Sequence, residues 1–380
     1  MSTSRGESGK SGQTLTASNV DSANLTGSTV SITADFAAGQ APLSNFWVGE
    51  GPGPGINGQE TVAPNNQING AIQAIAVDPT NPDIMYVGSV NGGIWKTTNA
   101  TAATLHWLPL TDNLPSLSLG ALEFDPTDPT HQTLIAGIGA TSSNRVHDTP
   151  FTGVLRTTDG GATWSQLGTI TANLGGESIT SVAARGTTLL AAADNGWAVQ
   201  DPGLGKGLFR STDSGVTWTL ISDGAHGLPN SRSVSDVVGD PLNSNVLYAA
   251  VTGAGGGVFK SMDTGLTWTN VSSGIGIIGS ATDKIELAVH HDGANLDVFA
   301  TVDNGGVLSG VFRSANGGSF MALDVPSGGA FGDVFGAIAA DPINPNIAYV
   351  GYGGGSPHYL TRIDASKPPG SQITDISGGS

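Results

Sequence analysis

One pattern returns along this chain at intervals of about fifty residues, and a repeat of that length sets the fold before any single residue does. It reads Gly, any residue, an aromatic or aliphatic residue, Arg or Lys, Ser or Thr, any residue, Asp, any residue, Gly, any residue, Thr, Trp. Three copies are nearly complete: Gly153 to Trp164 with Asp159 and Gly161, Gly207 to Trp218 with Asp213 and Gly215, and Gly257 to Trp268 with Asp263 and Gly265. Two are worn. In one, Asn316, Gly318 and Phe320 stand for Asp, Gly and Trp; in the other, Gly93 to Asn99 is followed by an insertion before Trp107. Tyr359 to Asp364 is a sixth trace. Positions 99, 159, 213, 263, 316 and 364 are 60, 54, 50, 53 and 48 residues apart.

The residues of the pattern have structural work to do. An Asp opening a tight turn accepts N–H groups from the residues after it, and a Gly two positions on takes positive φ without steric cost. The Trp that follows begins the next strand and supplies a large apolar contact to a small unit. Lys96, Arg156, Arg210, Lys260 and Arg313 recur at one strand position, which points to a shared role at the blade surface. Upstream of each copy lies a second piece: an apolar run, an Asp-Pro turn and a β-branched or aromatic run, as in Ala74 to Gly88 and Ala337 to Gly351. Proline after Asp presets the turn and short strands flank it. Each unit therefore reads as four strands, A to D.

Six units of four antiparallel strands predict an all-β, six-bladed β-propeller, because radial repetition protects the sheet edges. The blades are expected at about 70–112, 118–170, 178–222, 233–272, 283–324 and 336–377, within one domain over 41–380. Residues 1–40, rich in Ser, Thr, Gly and Asn, read as a flexible leader. Phe46, Trp47 and Val48, within 45–49, are placed to add a closing strand. A seventh blade stays open if the chain is a fragment. Composition agrees with many short strands and turns, with 57 Gly and 20 Pro in 380 residues and only 12% charged residues.

Fourteen basic against 31 acidic residues give a net charge of −17, which repels nucleic acid and anionic membrane surfaces. No apolar run reaches the roughly 18 residues of a membrane span. With no cysteine, disulfides and thiolate chemistry are excluded. No secretory signal is visible, which fits a shortened chain, another export route or a cytoplasmic protein.

The recurring Asp hairpin, with the Ala-Ile-Ala-Val-Asp-Pro and Gly-Gly-Ile-Trp-Lys pieces, resembles the BNR/Asp-box repeat β-propellers. That superfamily includes sialidases, xyloglucan-degrading endoglucanases, sortilin-type receptors and a photosystem II assembly factor. The resemblance spans residues 70–377 and implies the fold more than an activity, since the motif lies in hairpins away from the ligand face. Sialidases carry an Arg-Ile-Pro motif that is absent here, and the arginines left outside the repeats and leader are Arg145, Arg185, Arg232 and Arg362. The endoglucanases carry a catalytic Asp in a first-blade run that matches Tyr86 to Gly93, where this chain has Val90.

In an A-B-C-D meander the Asp-Pro turns and Asp hairpins share one face, and the B–C and D–A loops form the other. Variable loops on a rigid scaffold are where binding resides. Those loops hold Arg145, His147, Asp148, Trp197, His226, Arg232, Tyr352 and His358 as ligand-binding candidates, with Trp197 the one Trp lacking a repeat role and able to stack on a sugar. Glu177, Asp283 and Asp333, near the mouths of inner strands, are the weak catalytic candidates, as a convergent carboxylate set. No zinc or calcium spacing exists, so no metal or cofactor is expected. His290 and His291 read as exposed turn residues. The chain is expected to be a noncatalytic-looking, monomeric propeller module of a larger bacterial extracellular or surface protein, binding glycan or protein. A glycoside hydrolase using loop-face carboxylates is the alternative, and an intracellular assembly scaffold a second.

Overall fold

A computed structural model describes residues 14–18, 29–33, 72–90, 92–139, 151–168, 174, 176–193, 207–230, 233–279, 282–326, 336–353 and 359–377. Among them β1 (Thr14–Ser18) and β2 (Thr29–Thr33) form a two-stranded antiparallel sheet. The proposed closing strand at 45–49 lies outside the described residues, as does most of 1–40.

Six four-stranded sheets follow, each in the order A-B-C-D with every neighbour antiparallel. Blade one is β3 to β6 (Ile72–Val77, Met85–Ser89, Gly93–Thr97, Leu108–Pro109), and blade two is β7 to β10 (Leu119–Phe124, Leu134–Ile138, Val154–Thr157, Ser165–Leu167). Blade three is β11 to β14 (Ile179–Arg185, Thr188–Ala193, Gly207–Ser211, Thr219–Leu220), and blade four is β15 to β18 (Val234–Gly239, Leu247–Val251, Gly257–Ser261, Thr269–Asn270). Blade five is β19 to β22 (Thr282–His291, Leu296–Asn304, Val307–Ala315, Phe320–Leu323), and blade six is β23 to β26 (Ala337–Ala340, Ile347–Tyr352, Tyr359–Asp364, Ile373–Asp375). The inner strands β3, β7, β11, β15, β19 and β23 pack in succession. The fold is a six-bladed β-propeller, without helix among the described residues.

The core lies between blades. Tyr86 and Ile94 of blade one meet Leu119, Leu122 and Phe124 of blade two, and Leu190 and Leu208 of blade three meet Val237 and Leu247 of blade four. Second strands are covered on both faces by their neighbours. They are accordingly apolar at consecutive positions, and β8, β12 and β16 are almost wholly buried.

The recurrent hairpin is pinned by side chains. Asp213 accepts the Thr217 N–H at 2.9 Å, the Thr217 hydroxyl at 2.6 Å and the Ser211 hydroxyl at 2.7 Å, while Ser211 Oγ accepts the Gly215 N–H at 2.8 Å. Asp159 and Asp263 repeat the arrangement. Gly265 has φ 77° and lies where a Cβ would stand 2.6 Å from Leu190 of the preceding blade, so only glycine fits on both counts. Trp218 and Trp268 are buried and donate Nε1–H to the Gly215 and Gly265 carbonyls at 3.0 and 3.1 Å.

Two expectations need adjusting. His290 is buried rather than a turn residue, because β19 runs on to His291 and the reversal moves to Asp292 and the residues after it. Its Nδ1 lies 2.7 Å from the Asp341 carbonyl, and His291 Nδ1 lies 2.6 Å from Asp240 Oδ1. The strand-C cations do more than dress the surface: Lys96 and Arg210 bond to the turn of the following blade.

Candidate functional site

The inner strands carry one register position at which the blades differ sharply in chemistry. Ala74, Ala121, Ser181, Asp236, Glu286 and Ala337 stand opposite Gly88, Gly137, Ala192, Ala250, Thr301 and Gly351 of their second strands. Four blades use a small residue there. Blades four and five use carboxylates.

Asp236 Oδ2 accepts the Leu287 N–H at 2.8 Å, so the acid of blade four is fixed against the inner strand of blade five. Glu286 Oε1 lies 2.6 Å from Lys284 Nζ, two positions away on the same strand, and that ammonium also reaches the Gly336 carbonyl of blade six at 3.4 Å. The Lys284 and Glu286 side chains are 13% and 16% exposed, so the pair is enclosed yet reached by solvent. Glu286 Oε2 and Thr301 Oγ1, on paired residues, are buried without a hydrogen-bond partner among the described residues.

Electrostatics separate these groups. Burial, aided by the negative charge of Glu286, pushes the Asp236 carboxyl up to about 6 against the opposing pull of the Leu287 N–H and the Ser181 side chain. Burial also raises Glu286, with Lys284 opposing. For Lys284, burial favours the neutral amine, but Glu286, Asp303 and Asp236 outweigh it and hold the ammonium above its ordinary range. The result is an acid that keeps its proton into the weakly acidic range beside a carboxylate with a permanent cation. Glu123 of blade two is a separate case. It is tied to Arg185 at 3.2 Å and to the Ala184 N–H at 2.9 Å, and burial raises it.

A shallow recess between blades five and six, lined by Thr301, Asp303, Leu308, Ala337 and Tyr352, adjoins this cluster. Tyr352, expected in a loop, is instead the buried last residue of β24 on that wall. Asp283 belongs to β19, at the register shift between Thr282 and Lys284. Glu177 is buried ahead of β11, with its N–H directed to the Leu174 carbonyl at 3.4 Å. His226 lies 2.9 Å from Asp223, and its carbonyl accepts the Trp268 N–H at 2.9 Å. Arg145, His147, Asp148, Trp197, Arg232, Asp333 and His358 lie outside the described residues. Asp236, Lys284 and Glu286 are not among the residues expected from sequence. The signal for Asp236 and Glu286 is a charge at an inner-strand position that other blades fill with Ala or Ser, and Lys284 lies two residues before Glu286 on the same strand. Among the described residues no group of three or more His, Asp or Glu could hold a metal ion.

No protein-family model matches the chain. A Paenibacillus xyloglucanase is 27% identical over 179 residues, which is 46% of this chain and 16% of that relative. Among solved structures, the GH74 xyloglucanase of Xanthomonas campestris superposes with a TM-score of 0.54 at 18% identity, over 81% of this chain and 45% of that one. The Niastella koreensis GH74 enzyme gives 0.56 at 20% identity, again over 81% and 45%. These likenesses show the fold. The chain spans less than half the length of each.

Proposed function

We propose that this propeller is a glycoside hydrolase acting on a β-glucan of the xyloglucan class, with Asp236 as proton donor and Glu286 as its carboxylate partner. The observation that carries the reading is the placement of an acid raised to about 6 and a Lys-held carboxylate on adjacent inner strands. Glycosidic cleavage needs such a pair: one group protonates the departing oxygen while the other, ionised, assists attack at the anomeric carbon as base or nucleophile. Lys284 favours the ionised form of Glu286 against the effect of burial, and burial favours the protonated form of Asp236 below about pH 6.

The segment similar to a xyloglucanase supports this reading over that of a noncatalytic binding module. Val90 at the first-blade position means that the proton must come from elsewhere in the ring, and blade four supplies the acid. Polymeric glucan is met outside the cell, so the chain works there, in keeping with its acidic surface.

The test is release of reducing ends from xyloglucan and other β-glucans by the full chain and by Glu286→Gln. Release that disappears in the variant, with glucan binding retained, supports the assignment. Binding without turnover by the unmodified chain contradicts it and returns the propeller to glycan recognition alone.

A further inference from the structure

Among the described residues, five of the six blade junctions are filled, and at the sixth the apolar face of β3 stays exposed. The inner-strand position held by Ile75 is occupied in blades two to five by Leu122, Val182, Val237 and Leu287, which are 9%, 4%, 1% and 4% exposed. Ile75 is 60% exposed, with Ile72 at 51% and Val77 at 44%. In β3 the alternate residues Ala74 and Ala76 belong to the cluster shared with blade two, so Ile75 and Val77 face away from it. Across the gap, Ala337 and Ala339 of β23 are exposed as well.

Asp78, Asp125 and Asp240 each engage the next blade, through His131, the Gly186 N–H and His291. The carboxylates of Asp292 in blade five and Asp341 in blade six are bound within their own blades, by the Asn295 N–H at 2.7 Å and by Tyr349 at 2.9 Å.

We propose that the face formed by Ile72, Ile75 and Val77 is the seat of a seventh sheet contributed by the chain's own N-terminal segment, through β1 and β2. Seventy-one residues precede β3, more than the 48 to 60 that separate successive repeats. That stretch already holds a paired sheet whose register sets the apolar pairs Leu15 with Ile32 and Ala17 with Val30 between hydroxyl pairs such as Thr16 with Ser31. A two-stranded sheet is marginal alone in water and needs an apolar surface to lie on. Three large apolar residues on an inner strand are the surface this fold leaves open.

Amide hydrogen exchange on the full chain tests the proposal, with Ile75→Asp and the milder Ile75→Ser. Amides of Thr14–Ser18 and Thr29–Thr33 should exchange at least tenfold more slowly than free peptide in the unmodified chain, and that protection should be lost in both variants. Exchange at the free-peptide rate in the unmodified chain would overturn it, as would protection indifferent to either substitution. A concentration-dependent dimer that shields β3 while leaving β1 and β2 unprotected would also overturn it, making a second copy the occupant.

Discussion

The ammonium of Lys96 donates to the Gly160 carbonyl at 2.9 Å, tying the third strand of blade one to the turn of blade two. Arg210 does the same for the next pair but one, with Nε–H on the Thr264 carbonyl at 2.9 Å. At these two positions the recurring cation is a clamp between wedges, whereas Arg313 pairs with Asp297 of its own blade. Arg210→Leu should lower stability by about 1 to 3 kcal/mol, the range for losing a charge-assisted bond, here to a half-buried acceptor. Urea unfolding monitored by Trp fluorescence will measure it, and Arg210→Lys should recover part of the loss.

The glycine of the hairpin allows its two roles to be separated. Gly265→Ala meets both a left-handed backbone and Leu190, whereas Gly255, at φ 79°, has nothing within 4 Å of the added methyl group. Gly255→Ala should cost only the backbone term, about 1 to 2 kcal/mol. Gly265→Ala should cost about 1 to 3 kcal/mol more, the range for overpacking a filled core. Equal losses in denaturant unfolding would show that the turn glycine has no packing role.

Asp159 and Asp213 are held down to about 2 by hydroxyl and N–H donors, chiefly those of Thr163 and Thr217. Carboxyls with depressed folded pKa values stabilise the native state above their unfolded pKa, near 3.8, and that contribution disappears as pH falls toward 2. Thermal unfolding between pH 4 and 2 should show a falling Tm, and the slope should be shallower in Asp159→Asn/Asp213→Asn.

Asp236 works in the opposite sense. Its folded pKa of about 6 exceeds the unfolded value, so its contribution is full below about pH 4 and is lost as pH rises through 6. Two pKa units correspond to about 3 kcal/mol at most, and solvent access will reduce that. Asp236→Asn should therefore unfold at higher denaturant than the unmodified chain at pH 7.5 and show no advantage at pH 4. A residue that is costly to stability and needed for activity has the balance expected of a site.

The fold was legible because its signals are local and repeated. Asp-Pro turns, the Asp and Gly spacing and the Trp after it fix each hairpin through contacts within a few residues, and six recurrences make a ring of sheets. Six blades of four antiparallel strands followed from those signals. The cluster was not legible in the same way. Asp236, Lys284 and Glu286 meet only because neighbouring inner strands place them together, whereas the residues expected from sequence lie mostly in irregular loops and include Asp283 but not its strand neighbours. Tyr352 was misplaced because a strand end and a loop start look alike in sequence. The paired role of His290 with Asp341 depends on a strand longer than its counterparts.

The most direct measurement is the pH dependence of kcat/KM on xyloglucan, for the full chain and for Asp236→Asn. If Asp236 delivers the proton, kcat/KM falls as pH rises past about 6, and the variant is at least about 100-fold slower and lacks that limb. A variant that keeps both the rate and the limb, or an unmodified chain that turns over no β-glucan at any pH, would contradict the account.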